Sequence, residues 1–123
     1  MKALIADDAR MMRTILRRCL EAIGVKEIVE AEDGVAAIDE FRADRFDIVL
    51  TDWNMPNKNG LQLLAEIRAL DAHVPVIMIT TEGQKGHVTE AIQAGVTGYV
   101  LKPFEQDTLK KKLTAYCPRL TAL

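Results

Sequence analysis

Phe46-Asp47-Ile48-Val49-Leu50-Thr51-Asp52-Trp53-Asn54-Met55-Pro56-Asn57-Lys58-Asn59-Gly60 is the stretch on which the fold turns. It opens as a short apolar run rich in β-branched residues, the pattern of a strand buried on both faces. Asp52 stands where the run stops, and Pro56, Asn57 and Gly60 follow as turn formers. A carboxylate at the end of a buried strand is unfavourable unless it is paired or binds a cation. Ligands of open α/β sheets bind at the carboxyl ends of the strands, which places Asp52 for chemistry. Read alone, the same aspartate equally suits a cap on the turn that follows.

On either side of this stretch, short apolar runs alternate with helical periods. Ala3–Ala6 reads as a strand that ends in Asp7-Asp8. A helix follows from Ala9, with Met12, Ile15, Leu16, Cys19, Leu20 and Ile23 along one face and Arg10, Arg13, Arg17 and Arg18 mostly toward solvent. Gly24 stops it. Glu27–Ala31 is a second strand, and a helix after Asp33-Gly34 carries Val35, Ile38 and Phe41. Phe46–Asp52 is the third strand, and Gly60 opens a helix with Leu61, Leu64 and Ile67 inward. Pro75–Thr80 is the fourth strand, followed by a weak helix to Ala94 whose few apolar residues are Val88, Ala91 and Ile92. Gly98–Leu101 is the fifth strand, and a last helix turns Leu109 and Leu113 inward and Lys110, Lys111 and Lys112 outward. Strands alternating with helices through short connections give an α/β fold: a doubly wound, five-stranded parallel sheet with five helices.

Composition narrows the function. The 123 residues suit one domain, here 1–123 without an output domain, and 49% hydrophobic residues suffice for a core. A net charge of −2 gives no global sign of a nucleic-acid or membrane partner. No apolar run approaches the ~20 residues of a membrane span, so the expected location is the cytoplasm. Cys19 and Cys117 read as reduced thiols, and His73 and His87, lacking ligand spacing, as solvated surface residues.

The strand ends then carry Asp7-Asp8, Asp52, Thr80-Thr81 and Lys102. In such a sheet these ends share one edge. Two carboxylates at ~4 Å repel by on the order of 4 kcal/mol at an effective dielectric near 20, and one lysine cannot balance three of them. A hard divalent cation can, and an all-oxygen set with few protein ligands suits Mg²⁺. A carboxylate nucleophile, a metal, a cation and a hydroxyl are the parts needed to hold a phosphoryl group. Taken singly, Asp7-Asp8 also suits helix capping, Thr80 a strand and Lys102 a solvated loop.

With these residues in place the chain resembles a response-regulator receiver domain from end to end. The resemblance rests on Asp7-Asp8, Asp52-Trp53-Asn54-Met55-Pro56 through Gly60, Thr80, and Lys102-Pro103-Phe104. Within that family it is similar to the stand-alone chemotaxis regulators. The resemblance implies the flavodoxin-like strand order 2-1-3-4-5. It implies that Asp52 accepts the phosphoryl group and that Mg²⁺ is bound by Asp8, Asp52 and the Asn54 backbone carbonyl, with Asp7 holding a metal water. Lys102 would contact the phosphoryl oxygens, Thr80 would move to hydrogen-bond one of them, and Tyr99 would swing in behind it. Asn54 and Glu82 fall where the family tunes phosphate lifetime. A cis Lys102–Pro103 bond is also implied.

The expected protein is therefore a monomeric signalling phosphoacceptor, and self-phosphorylation and self-dephosphorylation are its only chemistry. A sensor histidine kinase would donate to it, its target would be a flagellar motor switch protein or another protein, and a phosphatase could clear it. The output face would join Lys85, Val88, Ile92, Tyr99, Leu101 and Lys112, on and beside the weak fourth helix. A stand-alone receiver in another pathway or phosphorelay is the alternative. A Mg²⁺-dependent phosphatase is more distant, because Asn54 stands where a general-acid Asp is needed, and a flavodoxin-like carrier would place phosphate against Asp7-Asp8. Three positions depart from the family pattern: Thr81, Lys58-Asn59 and Ala9-Arg10.

Overall fold

Leu4 and Ala6 of β1 (Lys2–Ala6) pack on one face of the sheet and Ala3 and Ile5 on the other, as the two-residue period of a strand requires. In the computed structural model, which describes residues 1–123, β3 (Ile48–Thr51) divides in the same way, with Val49 to one side and Ile48 and Leu50 to the other. Both faces are therefore apolar, and helices cover both. α1 (Arg10–Ile23) and α5 (Gln106–Tyr116) bring Leu16, Leu20, Leu109 and Leu113 to the first face. α2 (Gly34–Ala43) and α3 (Gly60–Leu70) bring Ile38, Phe41, Leu64 and Ile67 to the second.

β2 (Glu27–Ala31), β4 (Val76–Thr80) and β5 (Gly98–Leu101) complete a parallel sheet of order β2-β1-β3-β4-β5. This is the expected doubly wound fold and strand order. α4 (Lys85–Gln93) joins β4 to β5 and is held least, with Ala91 its one buried residue. Ala91 sits in a small cluster with Trp53 and Met78, edged by Leu61, Val96 and Tyr99. No helix is long and apolar enough to cross a membrane.

Several sequence expectations change. The third strand is shorter than Phe46–Asp52, because Asp47 takes the Lys2 N–H on its carboxylate at 2.7 Å and Phe46 stacks on Phe41 with ring centroids 6.1 Å apart. Of the apolar residues carried by α2, Ile38 and Phe41 are buried together with Ala37, while Val35 is 41% exposed. Arg13 and Arg17 are not simply solvated. Both pair with Glu30 on edge strand β2, at 3.1 and 2.7 Å. His87 is half-buried instead of solvated, with its ring edge-on to Trp53. The turn of 3-10 helix at Pro118–Ala122 had no counterpart in the sequence reading.

Candidate functional site

The register aligns the strand ends. Ala6 lies beside Thr51, Thr51 beside Met78, and Thr80 beside Leu101. The ladder continues one residue further on both sides, with Asp52 N–H donating to the Ala6 carbonyl and Lys102 N–H to the Thr80 carbonyl, both at 2.9 Å. Asp7, Asp52, Thr80 and Lys102 are thus brought to one edge by backbone pairing alone.

Asp7 is 1% exposed, and each of its polar atoms has a partner. Its N–H donates to Ala31 O at 3.1 Å. Its carbonyl accepts from Arg13 Nη1 at 2.8 Å, its Oδ1 from Ala9 N at 2.9 Å and its Oδ2 from Lys102 Nζ at 2.8 Å. Burial pushes the Asp7 carboxyl above its ordinary value, and the bonds from Lys102 and Ala9 offset this only in part. Lys102 Nζ also reaches Asp52 Oδ2 at 3.0 Å. Burial acts to lower the lysine, but the bonds to Asp7 and Asp52 outweigh it and hold the ammonium above its ordinary range.

Asp52 keeps 12% of its side chain exposed, and its Oδ1 accepts from Trp53 N at 2.6 Å. The Asp52 carboxylate therefore meets both the Trp53 N–H and the Lys102 ammonium and caps no helix, the N-cap of α3 being Asn59. Asp8 is exposed and makes no hydrogen bond to the cluster. The Asp7-Asp8 pair does not cap α1, whose N-cap is Ala9 without a side-chain bond. Carboxylate oxygens of Asp7, Asp8 and Asp52 lie within 4.8 Å of one another. Three carboxylates against one ammonium, all hard oxygen donors and open at Asp8, form a donor set that fits Mg²⁺.

The loop after Asp52 is fixed by residues chosen for it. Asn57 adopts a left-handed φ of 68° and donates to Asp33 Oδ2 at 2.8 Å. Asn59 caps α3 with a full capping box. Lys58 pairs with Glu66. The Lys58-Asn59 departure thus has a structural use at this loop. A Cβ on Gly60 would lie 2.0 Å from the Asp52 carbonyl oxygen, so only glycine fits. The Lys102–Pro103 bond is cis, as expected.

Thr80 is fully buried, and its hydroxyl accepts from Glu82 N at 3.2 Å. Tyr99 is half-buried, and its hydroxyl donates to the Glu82 carbonyl. Asn54 Nδ2 donates to Glu82 Oε1 at 2.6 Å. Glu82 is therefore tied to the site by its backbone and its side chain. Val88, Tyr99, Leu101 and Lys112 line one groove, while Lys85 and Ile92 are exposed beyond its lining. Thr81 is exposed. Sequence reasoning did not find Arg13 on the Asp7 carbonyl. The only signal for it was the four-residue spacing of Arg13 and Arg17 on a helix running beside Glu30.

Residues 3–114 match the family described as the response regulator receiver domain. The chain belongs to the receiver family. Asp7, Asp8, Asp52, Thr80 and Lys102 all fall within the matched residues. This receiver is 46% identical over 122 residues to the chemotaxis protein CheY-3 of Vibrio cholerae, covering 98% of this chain and 94% of that protein. It is 44% identical over 115 residues to the chemotaxis protein CheY of Pseudomonas aeruginosa, covering 92% and 93% of the two chains. Among solved structures it superposes on the chemotaxis response regulator CheY4 of Vibrio cholerae with a TM-score of 0.86 at 32% identity, over 94% of this chain and 97% of that one.

Proposed function

We propose that this receiver is a phosphorylation-activated response regulator of chemotaxis, with Asp52 as its phosphoacceptor. The observation that carries the reading is the Lys102 ammonium shared between the buried Asp7 and the more open Asp52 at 2.8 and 3.0 Å, with Asp8 open to solvent beside them. An Asp52 oxygen attacks the phosphorus of a kinase phosphohistidine. The new O–P bond forms as the N–P bond breaks, and the histidine nitrogen leaves with the electron pair. Lys102, already at Asp52 Oδ2, neutralises charge on the transferred group, and Thr80 supplies a hydroxyl once it leaves the Glu82 N–H. Asp8, Asp52 and the Asn54 carbonyl would hold Mg²⁺, and Asp7 would hold one of its waters. The ion supplies charge neutralisation of the phosphoryl oxygens.

The output face would then be the groove around Tyr99 and Leu101, extended by Lys85, Val88, Ile92 and Lys112. Its occupants would be a flagellar motor switch protein or another target, with a histidine kinase as donor. The protein itself acts as a monomeric, cytoplasmic signal carrier and turns over no other substrate. Similarity to the named chemotaxis proteins over nearly the whole chain supports this pathway.

Radiolabelled chemotaxis kinase tests the reading. Label should pass to the parent only with Mg²⁺ and not to Asp52→Asn, whose amide can neither attack phosphorus nor carry the ligand charge. Equal labelling of Asp52→Asn at neutral pH would overturn the assignment.

A further inference from the structure

His87, on the first turn of α4, has a buried Nδ1 with no hydrogen-bond partner. A buried polar atom left in this way calls for an explanation. Its ring stands edge-on to Trp53 at 4.9 Å between centroids and 87° between planes. Its Nδ1 faces Glu82 Oε2 at 3.7 Å, a few tenths of an ångström beyond hydrogen-bond reach. The other oxygen of the same carboxylate already accepts from Asn54 Nδ2 at 2.6 Å. Glu82 is thus gripped from the β3–α3 loop on one side and faced by α4 on the other. An Nδ1 lone pair pointed at a carboxylate would be repelled, so the proton belongs on Nδ1, where it can donate.

We propose that His87 is a positioning residue for loss of the phosphoryl group from Asp52. In the phosphorylated protein its Nδ1–H would close the 3.7 Å gap to Glu82 Oε2 and, with the Asn54 amide, set where the Glu82 carboxylate stands. This rests on the receiver reading above, and in particular on Asn54 and Glu82 flanking the hydrolysed group. In that hydrolysis a water oxygen bonds to phosphorus as the Asp52 O–P bond breaks. The Asp52 carboxylate leaves with the electron pair, inorganic phosphate departs and the water's proton goes to phosphate or solvent. A carboxylate fixed between two donors can hold the attacking water by hydrogen bonding; one held by Asn54 alone swings and holds it less well. Because His87 belongs to α4, a partner that shifts α4 would change how long the phosphoryl group lasts.

The test uses the whole chain, with acetyl phosphate and Mg²⁺ as donor and cofactor. After the donor is removed, decay of the aspartyl phosphate is followed by label loss and by emission of Trp53, the single tryptophan. His87→Leu should lengthen the half-life about threefold. His87→Asn, which can present an amide N–H near the Nδ1 position, should restore it. In a Glu82→Ala background His87→Leu should change nothing further, because the effect passes through Glu82. An unchanged half-life in His87→Leu, no rescue by asparagine, or full additivity with Glu82→Ala would overturn the proposal. If the parent forms no aspartyl phosphate at all, the receiver reading falls and takes the proposal with it, and that outcome is distinct from the other three.

Discussion

Gly60 meets Asp52 backbone to backbone: a Cβ on the glycine would stand 2.0 Å from the aspartate carbonyl oxygen and 2.9 Å from its carbonyl carbon. The first turn of α3 and the residue proposed to accept phosphate are therefore fixed by one contact. The Gly60 N–H also donates to Trp53 O at 2.8 Å, so the helix and the loop after Asp52 move together.

Gly60→Ala cannot be absorbed by a side-chain shift, since the obstacle is backbone. It should destabilise the fold by about 2–3 kcal/mol and displace Asp52. Urea unfolding reads the first effect, and the rate of modification by a small phosphodonor reads the second. A variant with parental stability and rate would show that the loop yields freely.

Asp7 predicts a gain in stability at a loss of function. Its carboxyl is raised in the folded state, so the folded chain resists losing that proton. The destabilisation is absent below the ordinary aspartate value of 3.8 and sets in as pH rises through the raised folded value. At neutral pH and without divalent cation, Asp7→Asn should therefore stabilise the fold by about 1 kcal/mol, and the difference should vanish in acid. Mg²⁺ affinity should fall. Thermal unfolding with and without Mg²⁺, at neutral pH and near pH 3, checks all three.

Lys102→Met removes the one ammonium that Asp7 and Asp52 share. The carboxylates then face one another unrelieved, and an ion that binds only the folded state recovers more stability. The variant should melt lower than the parent without Mg²⁺ and show a larger upward shift on adding it. Phosphorylation of Asp52 should nonetheless slow by at least about tenfold, because the cation at the transferred group is gone.

The strand ends were legible because each combined a buried apolar run with a residue type that such a run does not tolerate without a partner. Asp52 after Ile48–Thr51 and Asp7 after Ala3–Ala6 announce themselves in this way. The strand order was not readable from periodicity and came from the resemblance. Arg13 and His87 were missed for a different reason. Glu30, which Arg13 pairs with, lies on β2, and no local spacing records a pairing between separate elements. Glu82, which faces His87, is only five residues away, but a loop intervenes and the helical period does not extend across it. On α2 the apolar spacing does not separate the buried Ala37, Ile38 and Phe41 from the exposed Val35.

Tyr99 ties the proposed output face to the site. Its hydroxyl holds the Glu82 carbonyl, its ring edges the cluster of Trp53, Met78 and Ala91, and Ala91 is the one buried residue of α4. A helix anchored so lightly belongs to the low-stability end of the fold and can shift at small energetic cost. A phosphoryl group adds roughly −1.5 to −2 charge at neutral pH, which would draw Thr80 from the Glu82 N–H toward Asp52 and loosen the loop that Tyr99 grips. Tyr99→Ala should leave labelling of Asp52 intact while weakening phosphorylation-dependent capture of a partner by about tenfold, the scale of a lost interface aromatic. Tyr99→Phe separates the two contributions. If the hydroxyl bond to Glu82 is what transmits the signal, phenylalanine should behave like alanine; if ring packing suffices, it should behave like the parent. Equal capture by parent and Tyr99→Ala, with and without beryllofluoride as the phosphoryl mimic, would remove this face from the output path.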